Sequence, residues 1–194
     1  MHYDINYGRY NELNPNTFND LLTLRHKVFI GRLNWELSSN KGREQDEYDT
    51  PSASYIYVRQ EEAMVGCWRI IPTTSSYMLK DTFNTMQGDA ATISDPNICE
   101  LSRFAVDKDS VASSHKISDV TVSMFKGVQQ YAHTHRVKEY ITVTSLAVER
   151  ILKRIGLPFE RFGDQKVHKL GDTKSVALRF MMNDEFDQWI VNNS

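Results

Sequence analysis

No stretch of this chain stays apolar for the ~18 residues that a bilayer-spanning helix needs. Met1 to Asn16 is polar without an apolar core, which disfavours a secretion signal and leaves the cytoplasm as the expected compartment. Cysteine is scarce: Cys67 and Cys99 are the only two, each within an apolar, strand-like run. They read as buried free thiols in a reducing compartment, with a catalytic cysteine the weaker alternative. None of the nine glycines stands two residues from another, which excludes both a Gly-rich dinucleotide turn and a Walker-type phosphate loop. His133 and His135 fall on different faces of an expected helix and the other four histidines are scattered, so a metal site has little support. An excess of one charge is also missing. With 23 Lys and Arg against 25 Asp and Glu the net charge is −2, and nothing favours nucleic acid as a partner. No internal repeat or low-complexity tract is visible.

What the chain does have is the composition of a soluble globular protein, 40% hydrophobic and 11% aromatic. Its 194 residues suit one domain, 1–194, with a sizeable core. Four short segments stand out: Arg25-His26-Lys27-Val28-Phe29, Asp46-Glu47-Tyr48-Asp49, Gly66-Cys67-Trp68-Arg69 and Glu100-Leu101-Ser102-Arg103-Phe104. Each sets charge beside aromatic or apolar residues. Charges are costly to bury alone, so this recurrence points to one mutually neutralised, partly desolvated cluster, and such a cluster is a site candidate.

Phe18, Leu21, Leu22, Val28 and Phe29 recur at helical spacing behind Thr17 as a cap, and Arg25 falls in the middle of that apolar face. From Gly31 to Pro51 periodicity fails, giving a long loop that carries Trp35, Glu44, Asp46 and Asp49. Strands are expected at 54–59, 63–71 and 98–106, with Val65, Cys67, Arg69 and Ile71 sharing one face of the second. A short helical stretch is expected at 78–86. Ile117, Val120, Met124, Phe125, Val128, Tyr131 and Ala132 mark an amphipathic helix that Ser118 can cap. A strand at 140–145, a helix at 147–155 and late strands at 167–170 and 175–182 follow, with 185–191 ambiguous. This order predicts an α/β sandwich with a mixed sheet.

Asp46 and Asp49 on their own are as well explained by a solvated or capping loop. The arginines change that. Removing one partner of a buried ion pair costs ~3–5 kcal/mol, so Arg25, Arg69 and Arg103 require carboxylates such as Asp46, Asp49 and Glu100. The cluster then reads as both scaffold and binding surface, an arginine pair holding a substrate carboxylate and aspartates an ammonium. In a regular strand Glu100 and Ser102 face one way and Arg103 the other, so a bulge or splay is required if Glu100 and Arg103 both reach a cleft. It would also free backbone N–H groups for a substrate carbonyl and its oxyanion.

With these residues assembled, nearly the whole chain resembles the LuxI-type acyl-homoserine lactone synthases, which make bacterial quorum-sensing signals. The resemblance is carried by Arg25-x-x-Val28-Phe29, Arg32-Leu33-x-Trp35, Glu44-x-Asp46-x-x-Asp49, Tyr55-Ile56, Gly66-Cys67-Trp68-Arg69, Pro72-Thr73-Thr74, Tyr77-Met78-Leu79, Phe83, Glu100-Leu101-Ser102-Arg103-Phe104 and Thr142-Val143-Thr144-Ser145. Asn34 and Ser75-Ser76 depart from the family, where glycine is frequent, without touching a charged position. The resemblance implies a GNAT-like α/β/α sandwich whose mixed, splayed central sheet forms a cleft for a pantetheine arm. It implies a reaction of S-adenosylmethionine, a substrate and not a cofactor, with a fatty acyl thioester, usually on acyl carrier protein. First the amine attacks the thioester carbonyl; then the carboxylate displaces the sulfonium, closing the lactone and releasing methylthioadenosine. Neither metal nor cofactor is required.

An ammonium is no nucleophile, so a base must accept a proton; Glu100, directly or through water, is the first choice because burial raises a carboxyl pKa, and Asp46 is the alternative. Arg69 and Arg103 fix anionic groups, Asp46 and Asp49 orient the ammonium, and Arg25 ties helix to loop. Phe29, Trp35 and Phe83 pack over the methionine and adenosine moieties or serve as core. Ser102 and Thr142 resemble positions near the acyl chain, where a hydroxyl meets a 3-oxo or 3-hydroxy group. Glu44, Phe104 and Thr144 complete the substrate-binding set. Met124, Phe125, Val143 and Val148 are candidates for setting acyl length, and Arg150, Lys153 and Arg154 form a basic helix edge for an acidic carrier protein or for solvent.

Two other readings stand beside this one. A plain acyltransferase using acyl-coenzyme A and an amine has no need of lactonisation, and a silent ligand-binding protein would tolerate Glu100→Gln. Acyl length, oxidation at C3, the donor's carrier and the oligomeric state, monomer by default, are not written in the residues.

Overall fold

The computed structural model describes residues 2–88, 92–109 and 118–194; Ile117, expected at the start of a helix, lies outside them. The elements are β1 (Asp4–Arg9), α1 (Pro15–Arg25), a π-helix (His26–Arg32), β2 (Ser39–Asn40), β3 (Arg43–Glu44), β4 (Ser54–Gln60) and β5 (Ala63–Pro72). Then come α2 (Met78–Asp81), a 3-10 turn (Asn84–Gln87), β6 (Ile98–Val106), α3 (Asp119–His135), β7 (Glu139–Ser145) and α4 (Leu146–Arg154). Last are β8 (Glu160–Arg161), β9 (His168–Leu170), β10 (Thr173–Met181) and α5 (Asp184–Asn192). The chain gathers into two compact units, residues up to 70 with 103–130, and residues 71–102 with 131–194.

In the first unit α1 starts before the expected Thr17 cap. Asn14 caps it, its Oδ1 accepting the Thr17 N–H at 2.8 Å, and Pro15 takes the first helical position, where its locked φ costs nothing. The helix runs on into the π-helix, whose Leu33 N–H donates to Val28 O, five residues back, at 3.0 Å. The expected loop therefore begins later, and it contains the small β2–β3 hairpin. β4 and β5 pair antiparallel from Ser54↔Ile70 to Gln60↔Ala63, turning through Glu61 at φ 55°.

β1 is absent from the sequence reading because only Ile5 and Tyr7 give it apolar character, yet it pairs with β4 along its whole length, Asp4↔Arg59 to Arg9↔Ser54. α3 lies close on this layer. A Cβ on Gly127 would stand 2.5 Å from Ile56 Cγ2 and 3.1 Å from Ile5 Cγ2, so glycine sets the approach. β5 separates two faces. Gly66 and Trp68 face α3, with Met124 Sδ and Val120 Cγ1 each 3.0 Å from the Cβ position of Gly66, and Trp68 edge-on to Phe125 at 5.3 Å. Cys67 faces the other way and joins Leu21, Leu22, Leu24, Val28, Phe29, Tyr55 and Ala105 in a buried core.

The second unit is where the sheet becomes mixed. β6 runs parallel to β7 from Ile98↔Glu139 to Leu101↔Thr142, and β7 runs antiparallel to β10 from Ser175↔Ser145 to Met181↔Glu139. β8 and β9 both pair antiparallel with β10. Ser145 ends β7 and caps α4, accepting the Val148 N–H at 3.2 Å, so the helix follows its strand without a linker. The ambiguous C-terminal segment is α5, capped by Asn183 and tied by Trp189 Nε1, which donates to Ile155 O at 3.0 Å. Among the described residues no helix is long and apolar enough to cross a membrane.

Candidate active site

The first unit brings Arg25, Glu44, Asp46, Asp49, Arg69 and Arg103 together as a closed ring of alternating charge. Arg25 Nε donates to Glu44 Oε2 at 2.6 Å and its Nη1 to Asp49 Oδ1 at 2.7 Å. Arg69 Nη1 reaches the same Asp49 oxygen at 2.9 Å and Asp46 Oδ1 at 2.5 Å, and its Nη2 donates to Asp46 Oδ2 at 3.0 Å. Arg103 closes the ring, Nη2 2.8 Å from Asp46 Oδ2 and Nε 3.2 Å from Glu44 Oε1. At 3.2 Å or closer every arginine bridges two carboxylates and every carboxylate two arginines. The ring carries no net charge, which is how six ionised groups tolerate burial.

α1 supplies Arg25 from its last turn, β5 supplies Arg69 and the loop after the π-helix supplies the acids. Local hydrogen bonds shape that loop: Asp46 N–H donates to Asp49 Oδ2 at 2.9 Å and Tyr48 N–H to Asp46 Oδ1 at 2.9 Å. Tyr55 completes Asp49, its hydroxyl donating to Oδ1 at 2.8 Å. Burial opposes the charge on Asp49, but Arg25 and Arg69 outweigh it and hold its carboxyl well below the usual range. Burial likewise opposes charge on Arg25, and Asp49 and Glu44 overcome it, raising its pKa. Arg25 Nη2 is the one buried side-chain polar atom among the described residues without a hydrogen-bond partner; Asp46 Oδ2 lies 3.9 Å away.

Exposure divides the ring. The side chains of Arg69 and Asp49 are fully enclosed and those of Arg25 and Glu44 are 1% exposed, whereas Arg103 is 9% and Asp46 11% exposed. Asp49 and Glu44, expected at the substrate, are enclosed: both Glu44 oxygens meet arginines, while Asp49 has Oδ1 on Arg25, Arg69 and Tyr55 and Oδ2 on the Asp46 N–H. Arg103 reaches its place through backbone irregularity: it stands at φ 59° within β6, a left-handed conformation that resets strand alternation. Its guanidinium lies over the Phe29 ring at 5.8 Å, and Trp35 stacks on Phe29 at 5.0 Å and 10°. Trp35 remains 40% exposed. On the other face of β5, Phe104 meets Trp68 edge-on at 4.8 Å, alongside the Phe125 contact.

In the second unit Glu100 is buried, its Oε2 accepting the Met78 N–H at 2.9 Å and Oε1 the Leu79 N–H at 2.6 Å. It holds the start of α2, and burial together with the Glu100 charge pushes the Tyr77 phenol up to about 12. Ser102, Phe83, Val143 and Thr144 are half-buried. Thr142 Oγ1 donates to Leu101 O at 2.8 Å, where the parallel β6–β7 register ends. Arg150, Lys153 and Arg154 project from α4 into solvent. Val148, expected in a pocket wall, is 36% exposed because it follows the Ser145 cap on the outer side of α4.

Burial pushes the Cys67 and Cys99 thiols up to about 12, which makes them poor nucleophiles. Among the described residues no group of three His, Cys, Asp or Glu is placed to hold a metal ion. Sequence reasoning assigned no role to Tyr48 or Tyr55; their place beside the acidic loop and in the strand opposite Arg69 was the available signal. It also missed the buried Glu149, which pairs with Arg161, a contact no local pattern marks.

Residues 9–190 match the family model described as autoinducer synthase. The chain is 52% identical over 167 residues to the acyl-homoserine-lactone synthase of Vibrio anguillarum, covering 86% of each. The crystal structure of the AHL synthase LasI superposes with a TM-score of 0.86 at 32% identity, over 98% of this chain and 95% of that one. BjaI, described as a CoA-dependent acyl-homoserine lactone synthase with SAM and isopentyl-CoA, shares the fold at TM-score 0.86 and 20% identity, over 99% and 90% of the two chains. An acyl-CoA N-acyltransferase from Pseudomonas aeruginosa shares it at TM-score 0.62 and 12% identity, over 92% and 99%.

Proposed function

The chain belongs to the autoinducer synthase family and is an acyl-homoserine-lactone synthase, an acyltransferase of GNAT-like fold, and we propose that it joins a fatty acyl group from acyl carrier protein to the amine of S-adenosylmethionine. The carboxylate of the acylated intermediate then attacks its own γ-carbon, the C–S bond to the sulfonium breaks, and methylthioadenosine leaves as the lactone closes. In this reading the reaction draws on no metal or cofactor and proceeds in the cytoplasm.

The observation that carries the reading is the least enclosed link of the ring, Arg103 to Asp46. An amino-acid zwitterion can insert there, carboxylate on Arg103 and ammonium on Asp46, exchanging one ion pair for two without adding net charge. Asp49, Glu44, Arg25 and Arg69 hold the two groups apart at fixed positions. Trp35, stacked on the buried Phe29, offers its outer face to the methionine and adenosine moieties, with Phe29 behind it and Phe83 in support.

The proton released by the amine goes to Glu100, directly or through water. Asp46 is the alternative base; guanidinium groups occupy both its oxygens. Glu100 receives backbone N–H groups, and it stands three residues before Arg103 on β6. In this reading Met124, Phe125, Val143 and Val148 set acyl length, and Thr144 belongs with the substrate-binding residues. Ser102 and Phe104 complete the substrate-binding set. The Thr142 hydroxyl already donates to Leu101 O, so it can accept from a 3-hydroxyl as it stands and must turn away from Leu101 to donate to a 3-oxo group. The exposed Arg150, Lys153 and Arg154 complement an acidic carrier protein.

Mass spectrometry after incubation with S-adenosylmethionine and a panel of carrier-protein and coenzyme A thioesters tests the whole reading. Acyl-homoserine lactone with methylthioadenosine, formed faster from the carrier-protein donor, supports it. Lactone from coenzyme A donors alone overturns the donor, and an acylated amine without lactone overturns the second step.

A further inference from the structure

Glu149 is a buried carboxylate that the proposed reaction does not use. It sits on α4, a helix of nine residues in which Leu152 is the fully buried apolar anchor and Leu146 a half-buried one. Helices this short are marginal by themselves and depend on their tertiary contacts. A further anchor is ionic. Arg161 on β8 grips Glu149 as a fork, Nε to Oε1 at 2.8 Å and Nη2 to Oε2 at 2.9 Å, while its Nη1 donates to Gln165 O at 3.0 Å; Lys153 Nζ, one turn along α4, lies 3.4 Å from Glu149 Oε1. β8 is itself fixed by pairing with β10 at Leu178↔Arg161. A two-point grip of this kind sets the rotation of α4 about its axis as well as its position.

That rotation decides what the outer face presents. Arg150 and Arg154 stand one turn apart with Ile151, 42% exposed, beside them. Two cations flanking an apolar side chain complement an amphipathic helix with acidic residues around an apolar centre. We propose that the Glu149–Arg161 pair is a positioning device that holds α4 in the rotation at which Arg150, Ile151 and Arg154 together receive the acidic helix of a protein-borne thioester donor. The inference rests on the carrier-protein reading above and extends it. Arg161 hydrogen bonds hold the Glu149 carboxyl below its ordinary pKa, so the pair stays ionised at neutral pH.

The test compares Glu149→Gln and Arg161→Lys with the wild type, using one acyl chain on carrier protein and on coenzyme A. The expected result is a rise of about tenfold in KM for the carrier-protein donor, equivalent to ~1.4 kcal/mol of binding, with kcat and the KM for coenzyme A held. A merely structural pair would move both KM values together or neither, and either result overturns the proposal. Should Glu149→Gln fail to fold, Arg161→Lys keeps the helix-to-strand contact and carries the same comparison. Arg150→Glu with Arg154→Glu separates the two failures. If that pair raises the carrier-protein KM while Glu149→Gln does not, the positioning role alone is wrong; if neither moves it, the carrier-protein reading falls and this inference with it.

Discussion

Arg103 Nη2 lies 2.8 Å from Asp46 Oδ2, and these are the two side chains of the six-membered charge ring that reach solvent. Arg103 gets there from a left-handed backbone position at φ 59°, in a strand where any residue but glycine bears strain. Arg103→Ala should therefore abolish synthesis, leaving Glu44 and Asp46 each short of one partner. Arg103→Gly relieves the backbone by about 1 kcal/mol and should unfold at a higher temperature than Arg103→Ala while remaining equally inactive. Thermal unfolding and lactone synthesis on the two variants check this, and activity in either would remove Arg103 from the substrate site.

Asp49 is the enclosed acid between Arg25 and Arg69, so Asp49→Asn should cost ~3–5 kcal/mol in chemical denaturation. Its pH signature has a definite sign. The folded carboxyl lies well below the ordinary value of 3.8, so its stabilisation is fully present above that pH. As pH falls below 3.8 the unfolded chain takes up the proton first and the stabilisation drains away, by up to ~1.4 kcal/mol per pH unit. Asp49→Asn should flatten the stability profile in that window; an unchanged slope would mean that Asp49 is not held ionised by the ring.

Glu100→Gln keeps the shape of a side chain that accepts two backbone N–H groups, Met78 and Leu79. Its amide can satisfy one of them and confronts the other. The variant should lose ~10²–10⁴-fold in turnover as a missing base, with a smaller loss of thermal stability. Normal turnover in a well-folded Glu100→Gln would refute the base assignment.

Thr142→Val removes the hydroxyl that donates to Leu101 O and should cost about 1 kcal/mol for the lost hydrogen bond. It should also reduce the preference for donors oxygenated at C3, which competition between 3-oxo, 3-hydroxy and unsubstituted thioesters measures. Thr142→Ser retains the hydroxyl and should restore both. Unchanged donor selectivity in Thr142→Val would sink the specificity role and leave a structural one.

Much of this site is legible in the amino-acid order, for one reason. Arginines at 25 and 69 fall on apolar faces, and buried guanidinium groups demand carboxylates, so a charge cluster follows from periodicity alone. The break in β6 is legible too, since regular alternation cannot serve both Glu100 and Arg103, and Arg103 at φ 59° is the irregularity. β1 is not, because Ile5 and Tyr7 are too few apolar residues to outweigh their polar neighbours.

That charges would be buried and must be neutralised follows from the order of residues, because hydrophobic periodicity and the cost of lone charges act locally along the chain. Which partner each charge takes follows from the folded chain. Arg103 meets Glu44, which lies 59 residues away, Glu100 spends its oxygens on α2 instead of on an arginine, and Glu149 finds Arg161 beyond the end of its helix. An ion pair depends on distances of a few ångströms through space, and the folded backbone alone fixes those.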